Sequence, residues 1–251
     1  EVKNILIASP PNFHPLHLQT AISAGLKVYC EKPVAVNQSS LKTLENISHY
    51  SNCMIGFNRR FSPAIESLKN SASFQSSSKR KSITYIVNLG EFSVSMATKS
   101  LGGGTTVGSC CHYLDILEYV SDSQILDFEI FRKEDKNDEL VYGGSFNCIF
   151  RMKNGSIATL VFERSLKPSN GIKEYISIIG DDLNASVSDF DYLRINGQEK
   201  RFFIHNKGWK NAMHHFHKHE SLDLSTKTPT LLDGIRISKI AMEMDQKMGL
   251  I

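Results

Sequence analysis

The chain opens with the stretch Val2-Lys3-Asn4-Ile5-Leu6-Ile7-Ala8-Ser9-Pro10-Pro11. Its mostly apolar run is typical of a buried strand in a parallel sheet, and the prolines end that strand. A helical pattern follows over 13–24, and Lys27-Val28-Tyr29-Cys30 then predicts a second strand. Because a buried strand needs neighbours on both sides, we expect the chain to begin partway through a larger domain; the alternative is a processed or naturally shortened protein.

Strand and helix continue to alternate up to about residue 60. A second helix is predicted over 40–50 and a third strand over 53–57. This alternation predicts a parallel sheet with crossover helices, that is, an α/β domain over residues 1–60. Ligands bind such sheets beyond the carboxyl ends of the strands. Those ends are predicted at 9–12, 31–33 and 58–60.

The pattern changes after residue 60. Asn154-Gly155 and Asn196-Gly197 each join two short runs of alternating residues, which is a strong hairpin signal. We therefore predict an α+β domain over residues 61–251, with a mostly antiparallel open sheet and helices on one face. Its helices are predicted at 63–69, 107–120, 208–221 and 230–248.

Composition excludes several classes of protein. The chain has 251 residues, 41% hydrophobic and 22% charged, which excludes a disordered chain. No apolar run approaches ~20 residues, so no membrane partner is expected. The net charge of +3 is spread along the chain, so no nucleic-acid partner is expected either. The basic run at 79–81 follows a serine-rich loop over 71–78 and is interpreted as a solvated turn.

The five cysteines predict neither a disulfide framework nor a zinc site, because their number is odd and no C-x-x-C pair is present. No secretion signal opens the chain, and we expect a cytoplasmic protein. Four histidines near the end of the chain invite a metal interpretation: His214, His215, His217 and His219. Since they spread around a helix, a surface helix is favoured and no metal is predicted.

Two groups of residues point to chemistry. Glu31-Lys32-Pro33 follows the second strand, where a lysine can donate a hydrogen bond or proton to a substrate oxygen; a cis bond before Pro33 would re-aim it. The alternative is a solvated turn. His112 and Asp115 share a helix face and form either an acid/base pair or a buried structural pair. Gly102-Gly103-Gly104 is interpreted as a flexible loop at the pocket, and Trp209 as a core anchor.

Three segments, in this order and spacing, resemble the Gfo/Idh/MocA family of NAD(P)-dependent oxidoreductases. They are 5–14 with 28–33, then 55–63, then 102–117. The resemblance implies that residues 1–60 are the C-terminal part of a Rossmann domain and that residues 61–251 form a substrate-binding and oligomerisation domain. It further implies hydride transfer between NAD or NADP and a hydroxyl-bearing carbon of a sugar, cyclitol or related compound, in a homo-oligomer assembled through the open sheet.

The resemblance also assigns residues. Those implied in cofactor binding are Ser9, Pro10, Asn12, His14, Glu31, Lys32 and Pro33. Those implied in substrate binding are Lys32, Arg59, His112 and Asp115, of which Lys32 and His112 are the catalytic residues.

Two departures from the family pattern keep a second hypothesis open. The G-x-G-x-x-G turn is absent from residues 1–251. Gly108 stands where many members have an aspartate, four residues before the histidine. The alternative function is therefore a non-catalytic or truncated relative that serves as a binding or assembly module. A sugar-binding protein that uses no cofactor is a third hypothesis.

Overall fold

The first sheet is parallel, as predicted. A computed structural model describes residues 2–77, 79–89, 102–104, 106–133, 145–164, 171–203, 206–218, 222 and 227–249. Within that part, strands β1 (Asn4–Ile7), β2 (Lys27–Cys30) and β3 (Cys53–Ile55) pair in the order β1-β2-β3. Helices α1 (His14–Ser23) and α2 (Gln38–Glu45) are the crossovers. The central strand β2 is buried at every residue, as its near-continuous apolar run requires.

The second sheet is mostly antiparallel, which confirms the predicted fold class. Its described strands lie in the order β11-β10-β9-β8-β4-β7-β6-β5, and only the β4–β7 pair is parallel. The strands are β4 (Ser82–Leu89), β5 (Ile125–Arg132), β6 (Phe146–Met152), β7 (Ile157–Arg164), β8 (Glu174–Ile179), β9 (Asn184–Ser188), β10 (Tyr192–Ile195) and β11 (Gln198–Arg201). Both predicted hairpins form, with positive φ at Gly155 and Gly197.

Five further helices belong to the rest of the described chain. They are α3 (Pro63–Lys69), α4 (Ala72–Ser76), α5 (Cys111–Ser121), α6 (Trp209–Lys218) and α7 (Leu231–Lys247). A π-helical turn over Thr106–Cys110 leads directly into α5. Helix α7 starts in a capping box between Thr230 and Asp233. None of the helices in the described part combines the length and apolarity needed to cross a membrane.

Helix α7 connects the two sheets. The backbone N–H of Ile55 in β3 donates to the carbonyl of Pro229 at 2.8 Å, and Met54 pairs with Thr230. A Cβ atom at Gly234 would lie 2.6 Å from the Val34 side chain, so glycine permits the close approach of α7 to the first sheet. The last helix of the chain thus returns to the parallel sheet.

Three local interpretations need correction. The serine-rich segment holds α4, because the Ser71 hydroxyl accepts from the Phe74 N–H and caps it. Lys81, assigned to a solvated turn, is buried with its amine 3.5 Å from Asp122 and 4.6 Å from the Phe74 ring centroid. Trp209 is no core anchor, since it is 55% exposed. The buried side chains of α6 are instead Ala212 and Phe216.

Candidate active site

Lys32 leaves the carboxyl end of the central strand β2 and reaches the turn before α5. The Lys32–Pro33 peptide bond is cis, as the sequence suggested. The Lys32 Nζ atom donates to the carbonyl oxygen of Gly108 at 2.7 Å. Its side chain is half-buried, so the lysine lies at the sheet edge where ligands bind, held by a contact from the second part of the chain.

His112 lies in the first turn of α5, one helical turn after Gly108. Its ring is 9% exposed and meets the Phe57 ring edge-on, with the centroids 6.4 Å apart. Its Nδ1 atom is buried and has no hydrogen-bond partner among the described residues. Burial, followed by the positive charges of Arg59, Lys32 and Lys207, holds the pKa of His112 well below 6.5. The imidazole is therefore neutral near pH 7, and the hydrogen-bonding capacity of its Nδ1 atom is unused among the described residues.

Gly108 occupies its position for a steric reason. A Cβ atom there would lie 2.5 Å from the carbonyl oxygen of Gly102, and no side chain fits without a backbone shift. Lys32 consequently meets a backbone carbonyl at this position, where many family members would offer an aspartate. The stretch Gly102-Gly103-Gly104, interpreted as a flexible loop at the pocket, lies against this turn, and Gly103 and Gly104 are buried and have positive φ.

Arg59 is engaged in a buried ion pair. Its Nε and Nη2 atoms donate to the Glu174 carboxylate at 2.9 and 2.7 Å. The Tyr85 hydroxyl and the Lys207 amine, the latter at 2.6 Å, donate to the same carboxylate. Burial alone would raise the pKa of Glu174, but Arg59 and Lys207 lower it to about 2. The prediction that Arg59 binds substrate is corrected, because its guanidinium holds this carboxylate.

Asp115 also pairs with a different residue from the predicted one: it bonds Arg60 and not His112. Its carboxylate is fully buried and accepts two 3.0 Å bonds from the Nε atom of Arg60. Burial raises the pKa of Asp115 to about 7 despite that partner. The His112–Asp115 acid/base pair does not form, and Asp115 is not available to a substrate.

His14 joins the loops that follow β1 and β2. Its Nδ1 atom lies 2.7 Å from the Pro33 carbonyl oxygen and its Nε2 atom 2.8 Å from the Ser9 carbonyl oxygen. Because the ring is fully buried and both nitrogens are occupied, His14 cannot contact a cofactor as predicted. Pro33 is corrected in the same way, since it is buried and its carbonyl faces His14. Both residues position the loops around them.

The remaining predicted cofactor residues do lie along one sheet edge: Ser9, Pro10, Asn12, Glu31 and Lys32. Asn12 Oδ1 is buried and has no hydrogen-bond partner within the described residues, as expected of a group that a ligand completes. These residues fit one portion of a dinucleotide. By contrast, the described residues contain no group of three His, Cys, Asp or Glu side chains that could hold a metal ion. His215 bonds Thr228 at 2.7 Å, and His219 lies outside the described residues.

Sequence reasoning missed Glu174 and Lys207. No spacing links Glu174 to Arg59, which lies 115 positions earlier. Lys207 belongs to no motif that the sequence analysis identified. Both are recognisable only once the folded chain brings them to Arg59.

Comparison with known proteins indicates the family that the chain resembles. Residues 1–74 match the family model for the GFO/IDH/MocA oxidoreductase family, described as an NAD-binding Rossmann fold. An inositol 2-dehydrogenase of Corynebacterium glutamicum (strain R) is 27% identical over 171 residues, 61% of this chain and 46% of the relative. The chain thus spans about half the length of that relative.

Solved structures share the fold over nearly the whole chain. A myo-inositol dehydrogenase from Corynebacterium glutamicum ATCC 13032 has a TM-score of 0.77 at 18% identity, covering 98% of this chain and 77% of that one. The WlbA dehydrogenase from Bordetella pertussis, solved with NADH and UDP-GlcNAcA, has a TM-score of 0.74 at 15% identity, covering 98% and 77%. The predicted resemblance to this oxidoreductase family is confirmed.

Proposed function

From the premise that the chain belongs with the Gfo/Idh/MocA oxidoreductases, we propose that its whole protein is an NAD(P)-dependent dehydrogenase. It transfers a hydride between the nicotinamide and a hydroxyl-bearing carbon of a sugar, cyclitol or related compound. The observation that carries the proposal is the position of the Lys32 amine, 2.7 Å from the carbonyl of Gly108, which lies one helical turn before the neutral His112. The inositol dehydrogenase relatives support this substrate class.

The two side chains have complementary roles. Lys32 donates a hydrogen bond to the substrate oxygen and polarises it, and exchanges its proton with that oxygen as the carbon changes oxidation state. His112 is neutral, and its ring orients the hydroxyl or accepts its proton. When bound, NAD or NADP supplies hydride acceptance at the nicotinamide. Ser9, Asn12 and Glu31 line the edge that would hold this cofactor.

Oligomerisation through the open sheet remains part of the proposal. Along β6, side chains alternate between buried and exposed, and the outer face carries the exposed residues Ile86 and Ile149. A second copy packed on this face would cover them.

The test is turnover by the full-length polypeptide with NAD⁺ or NADP⁺ and a panel that includes myo-inositol. We expect Lys32→Met to lower kcat/KM by about 100-fold, the scale of a positioned acid/base group. Lys42→Met, on the exposed side of α2, is the matched control and should leave the rate unchanged. Normal turnover in Lys32→Met would remove this lysine from the mechanism.

The alternative of a binding or assembly module gives a different result. Such a protein would turn over no polyol in the wild type and would bind NADH weakly or not at all. Titration of NADH fluorescence therefore separates the two functions without relying on turnover.

A further inference from the structure

Lys207 is fixed beside the Lys32–His112 site by the segment that follows β3. Its backbone carbonyl accepts from the Asn58 amide at 2.6 Å. The next residue, Gly208, has φ +92°, and a Cβ atom there would lie 2.2 Å from the Asn58 carbonyl oxygen. The backbone at Gly208 therefore packs directly against Asn58. The Lys207 side chain is 19% exposed, and its ion pair with Glu174 fixes its orientation.

Positive charge exceeds negative charge around His112. Lys32, Arg59 and Lys207 all lie close enough to act on its ring electrostatically. Among the described residues, Glu174 is the carboxylate that contacts this group, and it bonds both Arg59 and Lys207. One carboxylate thus faces two cations there, and the Lys32 amine contacts a backbone carbonyl only.

Other nearby carboxylates do not balance this charge. Asp115, on the same helix as His112, is paired with Arg60. Glu31 lies beside Lys32 in the sequence, and its side chain contacts the Lys32 backbone N–H at 3.4 Å and lies against Gly56. Burial raises the pKa of Glu31 and outweighs the charge of Lys32, which acts on the same carboxyl. A dry site with surplus positive charge is stabilised when a ligand brings an anion.

We propose that Lys207, together with Lys32, binds an anionic group of the substrate, so that the substrate is an acidic or phosphorylated polyol. The inference rests on the proposed function insofar as it places the substrate between Lys32 and His112. A carboxylate and a phosphate share the chemistry required, because each accepts charge-assisted hydrogen bonds from lysine and arginine.

The chain provides its own reporter of binding. Trp209 is its single tryptophan, lies two residues after Lys207, and is 55% exposed. We would titrate the full-length protein, with and without NAD⁺, with glucuronate, glucose 6-phosphate and neutral myo-inositol, and follow tryptophan fluorescence. Isothermal calorimetry gives the same comparison should the fluorescence stay constant.

We expect glucuronate or glucose 6-phosphate to bind at least about tenfold more tightly than myo-inositol, with the tighter of the two identifying the anion. Lys207→Gln should abolish this preference and Lys207→Arg should retain it. Lys200→Gln is the matched control, since Lys200 lies on β11 and bonds the Ser67 hydroxyl at 3.1 Å. A thermal melt verifies that each variant is folded.

Equal binding of the neutral and acidic probes, or the same preference in folded Lys207→Gln, would overturn the inference. The proposed function fails separately: acidic probes that bind with the expected preference but are never oxidised would leave the anion site in place and reject the dehydrogenase.

Discussion

The Lys32 amine and the Gly108 carbonyl are joined by a 2.7 Å hydrogen bond that spans 76 positions of sequence. This bond ties the end of β2 to the turn from which α5 starts. Because His112 follows in the first turn of α5, the separation of Lys32 and His112 depends on the backbone at 108 and on no carboxylate. Gly108 departs from the family pattern of an aspartate at this position, and the structure shows its backbone carbonyl as the partner of Lys32 instead.

Gly108→Ala adds only one methyl group, but it should disturb the contact between Lys32 and the backbone at position 108. The new methyl group would meet the Gly102 carbonyl at 2.5 Å, and overpacking of this kind costs about 1–3 kcal/mol. We expect a lower melting temperature and at least a tenfold loss in kcat/KM as the Lys32 contact shifts. Ser109→Ala, at the neighbouring buried position, is the control. Wild-type kinetics in Gly108→Ala would mean that the turn tolerates a side chain.

Local patterns were sufficient to predict most of the fold. Val28 and its neighbours form a continuous apolar strand, and Asn154-Gly155 closes a hairpin, because both signals act within a few residues. The same applies to Lys32, whose place at the end of a parallel strand follows from the alternation of strand and helix. The glycine-rich turn and the later helix were also recognisable as one motif.

Long-range pairings were not predictable. No spacing in the sequence joins Arg59 to Glu174 or Arg60 to Asp115, since the pairing depends on the segment after β3 meeting β8 and α5 in the folded chain. Arg59 was consequently predicted to bind substrate, although it is buried and paired with Glu174. The exposure of Trp209 was missed for a similar reason, because an aromatic residue predicts burial only when its helix face is known.

Asp115→Asn should destabilise the protein strongly. It would remove the carboxylate that bonds the buried Arg60 guanidinium, while Asp233 lies 4.0 Å from Arg60, and breaking a buried pair typically costs about 3–5 kcal/mol. Urea denaturation measures the loss. Asp127→Asn, which breaks the exposed pair with Arg151, is the control and should have no measurable effect. Similar effects in the two variants would contradict a structural role for Asp115.

Glu174 should make the protein sensitive to acid. Its pKa is about 2 in the folded chain against an ordinary 4.5, so its contribution is fully present above pH 4.5 and is lost as the pH falls towards 2. That shift corresponds to roughly 3 kcal/mol of linked stability. We expect Glu174→Gln to be less stable at pH 7 and to lose less stability between pH 4.5 and 2 than the wild type.

Glu129→Gln, on the exposed side of β5, is the control for that acid titration and should follow the wild type. A Glu174→Gln variant with the wild-type acid profile would show that the ion pair with Arg59 and Lys207 contributes nothing to stability.

His112 should make the stability of the folded protein depend on pH. The sense is opposite to that of a histidine that gains an acidic partner on folding. Because the pKa of His112 is lowered from 6.5 in the folded chain, this histidine takes up a proton below pH 6.5 in the unfolded chain but stays unprotonated in the folded one. Stability is therefore retained above pH 6.5 and falls below it, by about 1 kcal/mol between pH 6.5 and 5.5. His112→Gln should abolish this part of the pH dependence and lower kcat/KM, whereas His214→Gln on the exposed side of α6 should do neither. Parallel stability curves for the wild type and His112→Gln would mean that the ring titrates in the folded protein as it does in the unfolded chain.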